Sequence, residues 1–372
     1  MADVRPLGFG LIGCGAFAEF TMQAFQQIPG VKLVAVADTF HMAVKRFQEK
    51  YDVPGHYDGG ELIQRDDVDV VHIATPPSSH YELVMQAVRA GKHVLCEKPL
   101  AMNMQQANAM LKAAAEKNLI VPVNFVLRYN EVTEAVKQVI DSGVLGKVLS
   151  ARLTNCAGDS KLGPEHWFWD PAVAGGIFIE HGVHFFDLYS YWLGEGKVIH
   201  SHTETREGTT QEDRVTCELR YRNGAVVSHY HGFDQVSLMD RTDHRMVCEL
   251  GDIRVDGWIP LTMTVDAVVD DAGLAKLQEC CPDAQIETLE KYDEGTGSVS
   301  GRGKQRKATA KVRLTYTPTP DKQEAYSNSA VHLLRDQLEF LADPSHQRKV
   351  NEENGRRAVA LAEAAAKMAR KR

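Results

Sequence analysis

The chain has no run approaching the roughly eighteen consecutive apolar residues that a membrane-spanning helix needs, and it has no C-x-x-C pair. The first absence leaves no transmembrane segment to place. The second, with only seven cysteines in 372 residues, speaks against a zinc ribbon and for reduced thiols rather than a disulfide framework. Cys280 and Cys281 are adjacent and do not easily staple a fold. An excess of positive charge is missing as well: the formal net charge is −8, which argues against a general nucleic-acid binder. One basic run, GRGKQRKATAKVR at 301–313, stands apart from this, and its glycine and serine lead-in reads as a solvated hairpin. The beginning, MADVRPLGFGLIG, lacks a charged leader followed by a long apolar segment. The expectation is a soluble cytoplasmic protein, long enough for two domains, with neither nucleic acid nor membrane as partner.

What is present is a regular alternation. From residue 7 the run LGFGLIG leads into a helical stretch at 16–27, then VKLVAVAD at 31–38, a helix to about 50, DVDVVHIAT at 67–75 and a helix at 79–89. KHVLCEKP at 92–99, a helix at 103–117 and LIVPVNF at 119–125 continue the pattern. The strands are continuous apolar runs, as a parallel sheet buried on both faces requires. This predicts a doubly wound α/β domain.

The first turn, G-C-G-A-F-A, places Gly13, Gly15 and Ala18 at the spacing of a dinucleotide fingerprint, with Ala16 and Phe17 opening the helix. Gly13 permits the tight turn, Gly15 lets main chain approach a pyrophosphate, and small Ala18 allows helix to pack on strand. Asp38 closes the second strand, where an acid accepts hydrogen bonds from ribose hydroxyls and repels a 2′-phosphate. The set favours NAD over NADP; glycines serving only as turn punctuation are the plainer alternative. In such a sheet ligands lie outside the carboxyl ends of the strands. Those ends hold Thr75, Pro76, Ser78, Ser79 and His80, then Glu97-Lys98-Pro99, then Asn124. Ser78 or Ser79 reads as a helix cap, whereas Lys98 sits where the nicotinamide end should lie.

The segment GGIFIEHGVHFFD at 175–187 sets Glu180, His181, His184 and Asp187 among apolar neighbours. As one helix it aligns Glu180, His184, Asp187 and Tyr191 at spacings of four, three and four. Two readings stand: the wet side of a surface helix, or a polar line aimed at a partner or cavity.

GLIGCG, ATPPSSH, LCEKPLA and GG-x3-E-x3-H-x2-D, in this order, resemble the glucose–fructose oxidoreductase/inositol dehydrogenase (Gfo/Idh/MocA) family, densely to about 125 and through about 193. The resemblance implies α/β plus α+β architecture: an N-terminal Rossmann domain, 1–124, that binds NAD(P), and a C-terminal α+β domain, 125–372, with a large open, mostly antiparallel sheet that binds substrate and commonly builds homo-oligomers, a dimer or tetramer. Strand-like runs at 147–156, 197–206, 214–221, 224–231, 245–250 and 261–269, with helices at 324–341 and 351–370, support the second half independently.

The resemblance also implies a lysine, an acid and a histidine around a sugar carbinol, matched by Lys98, Glu180 and His184; the acid is usually aspartate, so Glu180 is a departure. Oxidising a secondary alcohol needs a base for the hydroxyl proton while hydride leaves the same carbon. An imidazole titrates near neutrality, which suits His184, while Lys98 would polarise the oxygen. Glu180 would orient the ring or hold substrate hydroxyls, and Asp187 would fix the helix or ring from behind. Lys98 and His184 are expected from different domains, meeting at the nicotinamide end. Gly13, Gly15, Ala16, Phe17, Asp38, Thr75, Pro76, His80, Glu97 and Lys98 make the expected cofactor site. Arg128, Trp167, Glu180, His181 and His184 make the expected substrate site, with Tyr129 and Asn130 bordering it; tryptophan faces suit sugar C–H faces. No metal is expected, although His181, His184, Glu180 and His166 are zinc-type ligands. The leading reading is an NAD-dependent dehydrogenase of a sugar, polyol or cyclitol. A glycoside-cleaving enzyme using transient oxidation and a non-catalytic dinucleotide and sugar sensor remain as alternatives.

Overall fold

The computed structural model describes residues 6–160, 162–292, 298–301 and 303–370, which form two compact units. The first comprises Met1–Tyr129, Pro164–Asp187 and Ser327–Lys367. The second comprises Asn130–Gly163, Leu188–Tyr326 and Met368–Arg372.

In the first unit β1 (Leu7–Ile12), α1 (Ala16–Phe25), β2 (Val31–Ala37), α2 (His41–Tyr51), β3 (Gly55–His56) and α3 (Gly59–Ile63) are followed by β4 (Val70–Ile73), α4 (His80–Arg89), β5 (His93–Cys96) and α5 (Met104–Glu116). The strands form one sheet in the order β3-β2-β1-β4-β5, parallel throughout. Phe9, Leu11, Val36, Val71, Ile73, Val94 and Leu95 are buried, which is why these strands read as unbroken apolar runs. LIVPVNF follows β5 without becoming a full strand: only Cys96 and Val123 form a parallel bridge. Pro122 accepts from Cys96 N–H but has no N–H to return. In the C-terminal part of this unit the Glu352 carboxylate accepts from Val121 N–H at 3.0 Å and pairs with Arg348.

The second unit is organised on a nine-stranded sheet. Its strands are β6 (Val148–Cys156), β7 (Gly196–Thr205), β8 (Glu212–Tyr221), β9 (Val226–Gly232), β10 (Arg241–Cys248), β11 (Gly251–Asp256), β12 (Thr262–Val269), β13 (Gln285–Lys291) and, beyond a small hairpin, β16 (Ala310–Tyr316). The order is β13-β16-β12-β11-β10-β6-β9-β8-β7, antiparallel except for the β6–β9 pair. The hairpin is β14 (Ser298–Gly301) with β15 (Lys304–Lys307). It takes up only the first part of the basic run, in which Arg302 lies outside the described residues, whereas the end of that run, 310–313, belongs to β16 in the large sheet. Buried and accessible residues alternate along β10 and β12, as in a sheet covered on one face. Helices α6 (Glu131–Ser142) and α9 (Asp271–Cys280) belong to this unit.

The remaining helices are α7 (Pro171–Ala174), α8 (Val183–Leu193), α10 (Lys322–Ala342) and α11 (Glu352–Ala369). All seven cysteines are free thiols. No helix among the described residues is long and apolar enough to cross a membrane.

Candidate dinucleotide and catalytic site

The turn after β1 is a main-chain construction. Gly13 has φ 98°, and a Cβ there would come within 2.3 Å of the Ala74 carbonyl oxygen, so both conformation and space demand glycine. At Gly15 nothing lies within 4 Å of where a Cβ would stand. That open space adjoins the first turn of α1, whose N-terminal amides have no side-chain cap. Uncapped amides at a helix N-terminus receive a diphosphate, so these residues fit a dinucleotide.

Asp38 stands just past β2 and is gripped from two sides. Its Oδ2 accepts from Cys14 N–H at 2.7 Å and its Oδ1 from Phe40 N–H at 2.8 Å. Two amides use about half of a carboxylate's acceptor capacity, which orients the group and leaves the rest for a ligand. The carbonyl of Cys14 accepts from Arg46 Nη2 at 2.8 Å. Sequence reasoning missed Arg46, because no motif links α2 to a turn 32 positions earlier.

The β4 and β5 ends are braced internally. Ser79, read as a helix cap, instead directs its hydroxyl to Thr75 Oγ1 at 2.7 Å and Pro76 O at 2.8 Å. His80 is fully buried, with Nδ1 2.7 Å from Pro99 O and Nε2 2.9 Å from Thr75 O. Burial pushes its pKa down, so the neutral ring donates to one of these two carbonyls and packs against the other, between the Thr75 loop and the Lys98 loop. Glu97 also turns inward: its Oε1 accepts from Asn124 Nδ2 at 2.6 Å and lies 3.2 Å from His72 Nε2. Lys98 points elsewhere. Its ammonium donates to the Glu180 carboxylate and, at 3.1 Å, to the Glu180 carbonyl.

Glu180 belongs to a π-helical turn, Phe178–Gly182, that runs into α8. The regular α-helical spacing expected over 175–187 is therefore interrupted. A π turn replaces the usual i→i−4 bonding by a wider ring, and a carbonyl within it is the one that receives Lys98. Glu180, His184 and Asp187 are at most 9% exposed, so the polar line is not a wet surface. The segment carrying His184 groups with Lys98 in the first unit, not in a separate domain. It is tied there by the Lys98–Glu180 pair and by the packing of α7 on the Pro77–Ser79 turn.

Arg128 is engaged with Asp187. Its Nε and Nη2 each reach one carboxylate oxygen at 2.7 Å, and Nη1 reaches Lys349 O at 3.3 Å. Burial pushes the Asp187 carboxyl up, and the guanidinium opposes that shift. Both side chains are buried, so Arg128 serves as a clamp on the start of α8. His181 is half-buried; desolvation, then the Lys98 charge, lower its pKa to about 3. Its ring centroid is 6.3 Å from that of His184, at 72°. Of the neighbouring aromatic residues Phe168 and Trp169 are buried, while Trp167 is 36% exposed. Among the described residues no group of three or more His, Cys, Asp or Glu is arranged to hold a metal ion.

Two sequence profiles match the chain: the oxidoreductase family with an NAD-binding Rossmann fold over residues 7–125, and the Gfo/Idh/MocA C-terminal domain over residues 133–252. The chain belongs to the Gfo/Idh/MocA oxidoreductases. Among relatives of this oxidoreductase, one from Formosa agariphila is 31% identical over 257 residues, 66% of this chain and 78% of that one. The myo-inositol 2-dehydrogenase of Thermotoga maritima is 28% identical over 226 residues, 58% of this chain and 66% of that one. Among solved structures, levoglucosan dehydrogenase in complex with NADH and L-sorbose shares the fold at a TM-score of 0.79 and 20% identity, covering 99% of this chain and 98% of that one. Both halves of the architecture read from the sequence, Rossmann sheet and larger antiparallel sheet, are those of the family.

Proposed function

We propose that this oxidoreductase transfers hydride between NAD and a secondary alcohol carbon of a sugar, polyol or cyclitol, with His184 as the base and Lys98 as the group that steadies the alcohol oxygen. The observation that carries this reading is the Lys98–Glu180 pair: an ammonium from the end of β5 held beside the turn that opens into His184. When bound, the nicotinamide supplies the hydride acceptor. His184 takes the hydroxyl proton at a ring nitrogen, and Lys98 donates a hydrogen bond as negative charge grows on that oxygen. Glu180 positions the ammonium through both its carboxylate and its carbonyl. His181, with its depressed pKa, offers a neutral ring to substrate hydroxyls, and Trp167 offers its face to the C–H side of the ring.

The preference for NAD over NADP rests on Asp38, whose charge opposes a 2′-phosphate. Ala16 and Phe17 at the head of α1, with Thr75 and Pro76 after β4, complete the cofactor contacts in this proposal, while His80 and Glu97 shape the loops behind them. The same proposal assigns dinucleotide binding to 1–124 and substrate binding and assembly to 125–372, and places a dimer or tetramer in the cytoplasm.

The test is a panel of sugars, polyols and cyclitols offered with NAD and with NADP. The readouts are absorbance of reduced nicotinamide and product analysis for bond cleavage. Reduced nicotinamide formed in proportion to ketone product is expected. Cleaved glycoside without accumulating reduced cofactor, or binding without any turnover across the panel, would overturn the assignment.

A further inference from the structure

We propose that Arg46 is a second determinant of cofactor choice: a guanidinium poised to take a 2′-phosphate, kept out of use by the Asp38 carboxylate. The inference rests on the reading of Asp38 as the ribose partner. Asp38 and Arg46 hold opposite ends of one residue of the fingerprint turn. Cys14 gives its N–H to Asp38 Oδ2 at 2.7 Å and its carbonyl to Arg46 Nη2 at 2.8 Å. A negative and a positive group therefore bracket the turn from β2 and α2.

The guanidinium has capacity to spare. Among the described residues its one hydrogen bond is to Cys14 O, out of five N–H donors. Its nearest acid, Glu19, stands 3.8 Å away and gives its other oxygen to Lys50 at 2.5 Å. The Arg46 side chain is 54% exposed, so a ligand reaches it without rearrangement of the core. A planar fork matches phosphate oxygens geometrically. With Asp38 present, a 2′-phosphate meets a carboxylate fixed by two amides, and repulsion cancels what Arg46 offers. Remove that carboxylate and the guanidinium, with Lys50 one turn further along α2, makes the same corner cationic.

The competing account is that Arg46 is a strut for the Cys14 carbonyl and nothing more. Titration calorimetry of NAD, NADP and 2′,5′-ADP separates the two, using the wild type, Arg46→Ala, Asp38→Ser, Asp38→Ser/Arg46→Ala and Asp38→Ser/Arg46→Lys. Asp38→Ser should tighten NADP and 2′,5′-ADP by about tenfold or more, the scale of a charge-assisted hydrogen bond. Adding Arg46→Ala should erase that gain while leaving NAD binding near that of Asp38→Ser, and Arg46→Lys should keep part of it. A gain that survives in Asp38→Ser/Arg46→Ala, or equal loss of NAD and NADP on removing Arg46, overturns the proposal. Wild-type preference for NADP would refute the Asp38 reading instead; Arg46→Ala would then still have to weaken NADP selectively.

Discussion

At the Gly13–Gly15 turn the first unit presents main-chain amides and one carboxylate oriented by the amides of Cys14 and Phe40, whereas at Lys98 and Glu180 it presents side-chain charges that balance one another. The groups the turn offers a ligand lie between residues 13 and 38, close along the chain, although Phe40, Arg46 and Ala74 help to shape it. The charged end depends on partners 82 positions apart for Lys98 and Glu180 and 59 apart for Arg128 and Asp187. A main-chain site survives most changes to the side chains around it, since its donors belong to the backbone. A site of buried paired charges loses function or stability with any one member, because the remaining partner is left uncompensated.

The largest effect that sharpens this contrast is expected at Lys98. Lys98→Ala should lower turnover by about 100- to 1000-fold, as when one preorganised donor to a developing oxyanion is lost, while NAD affinity changes little. Steady-state rates beside calorimetric affinities check it; parallel losses in both would merge the two ends into one. Next comes the Arg128 clamp. Arg128→Ala leaves the Asp187 carboxylate buried without its partner and should cost about 3–5 kcal/mol of stability, read from urea unfolding. Arg128→Lys should recover only part, because a lysine does not reproduce the two-pronged contact; full recovery would mean that charge alone matters there.

The smallest expected effect, over the range from pH 7 to pH 5, is on pH dependence. In the second unit burial, with the Arg245 charge adding to it, lowers the His244 pKa to about 3, against about 6.5 in the unfolded chain. A histidine with a depressed folded pKa stays neutral in the fold, so stability is whole above about pH 6.5 and falls as the unfolded chain takes up protons below that value. The slope is about 1.4 kcal/mol per pH unit for each such histidine, continuing towards pH 3. His244→Gln should flatten the acid limb by about one proton between pH 7 and pH 5. Unfolding curves at several pH values would show it, and an unchanged slope would mean that His244 is not neutral in the fold.

The legibility of the sequence follows the same division. The parallel sheet and the Gly13 turn were readable because burial on two faces forces unbroken apolar runs and because a positive φ with no room for Cβ forces glycine. The π turn was not, since the 3.6-residue period that aligned Glu180, His184 and Asp187 has no marker for one inserted residue. β13, QIETLEK, was missed because it is almost wholly exposed and shows no alternation of burial. LIVPVNF was over-read, because apolar content does not reveal the amide that Pro122 lacks. Arg128 was read as a substrate contact, whereas it is buried against Asp187, because sequence distance hides an ion pair.

The central claim is that the imidazole on the first turn of α8 removes the alcohol proton. Single-turnover measurement of reduced nicotinamide with His184→Asn, under saturating NAD and substrate, tests it most directly. The account predicts a rate lower by about a hundredfold to ten-thousandfold, the usual contribution of a positioned base, with NAD affinity unchanged because its contacts lie at Gly13, Gly15 and Asp38. A folded His184→Asn protein that binds both ligands and turns over near the wild-type rate would contradict it and pass the role of base to Glu180 or to a bound water.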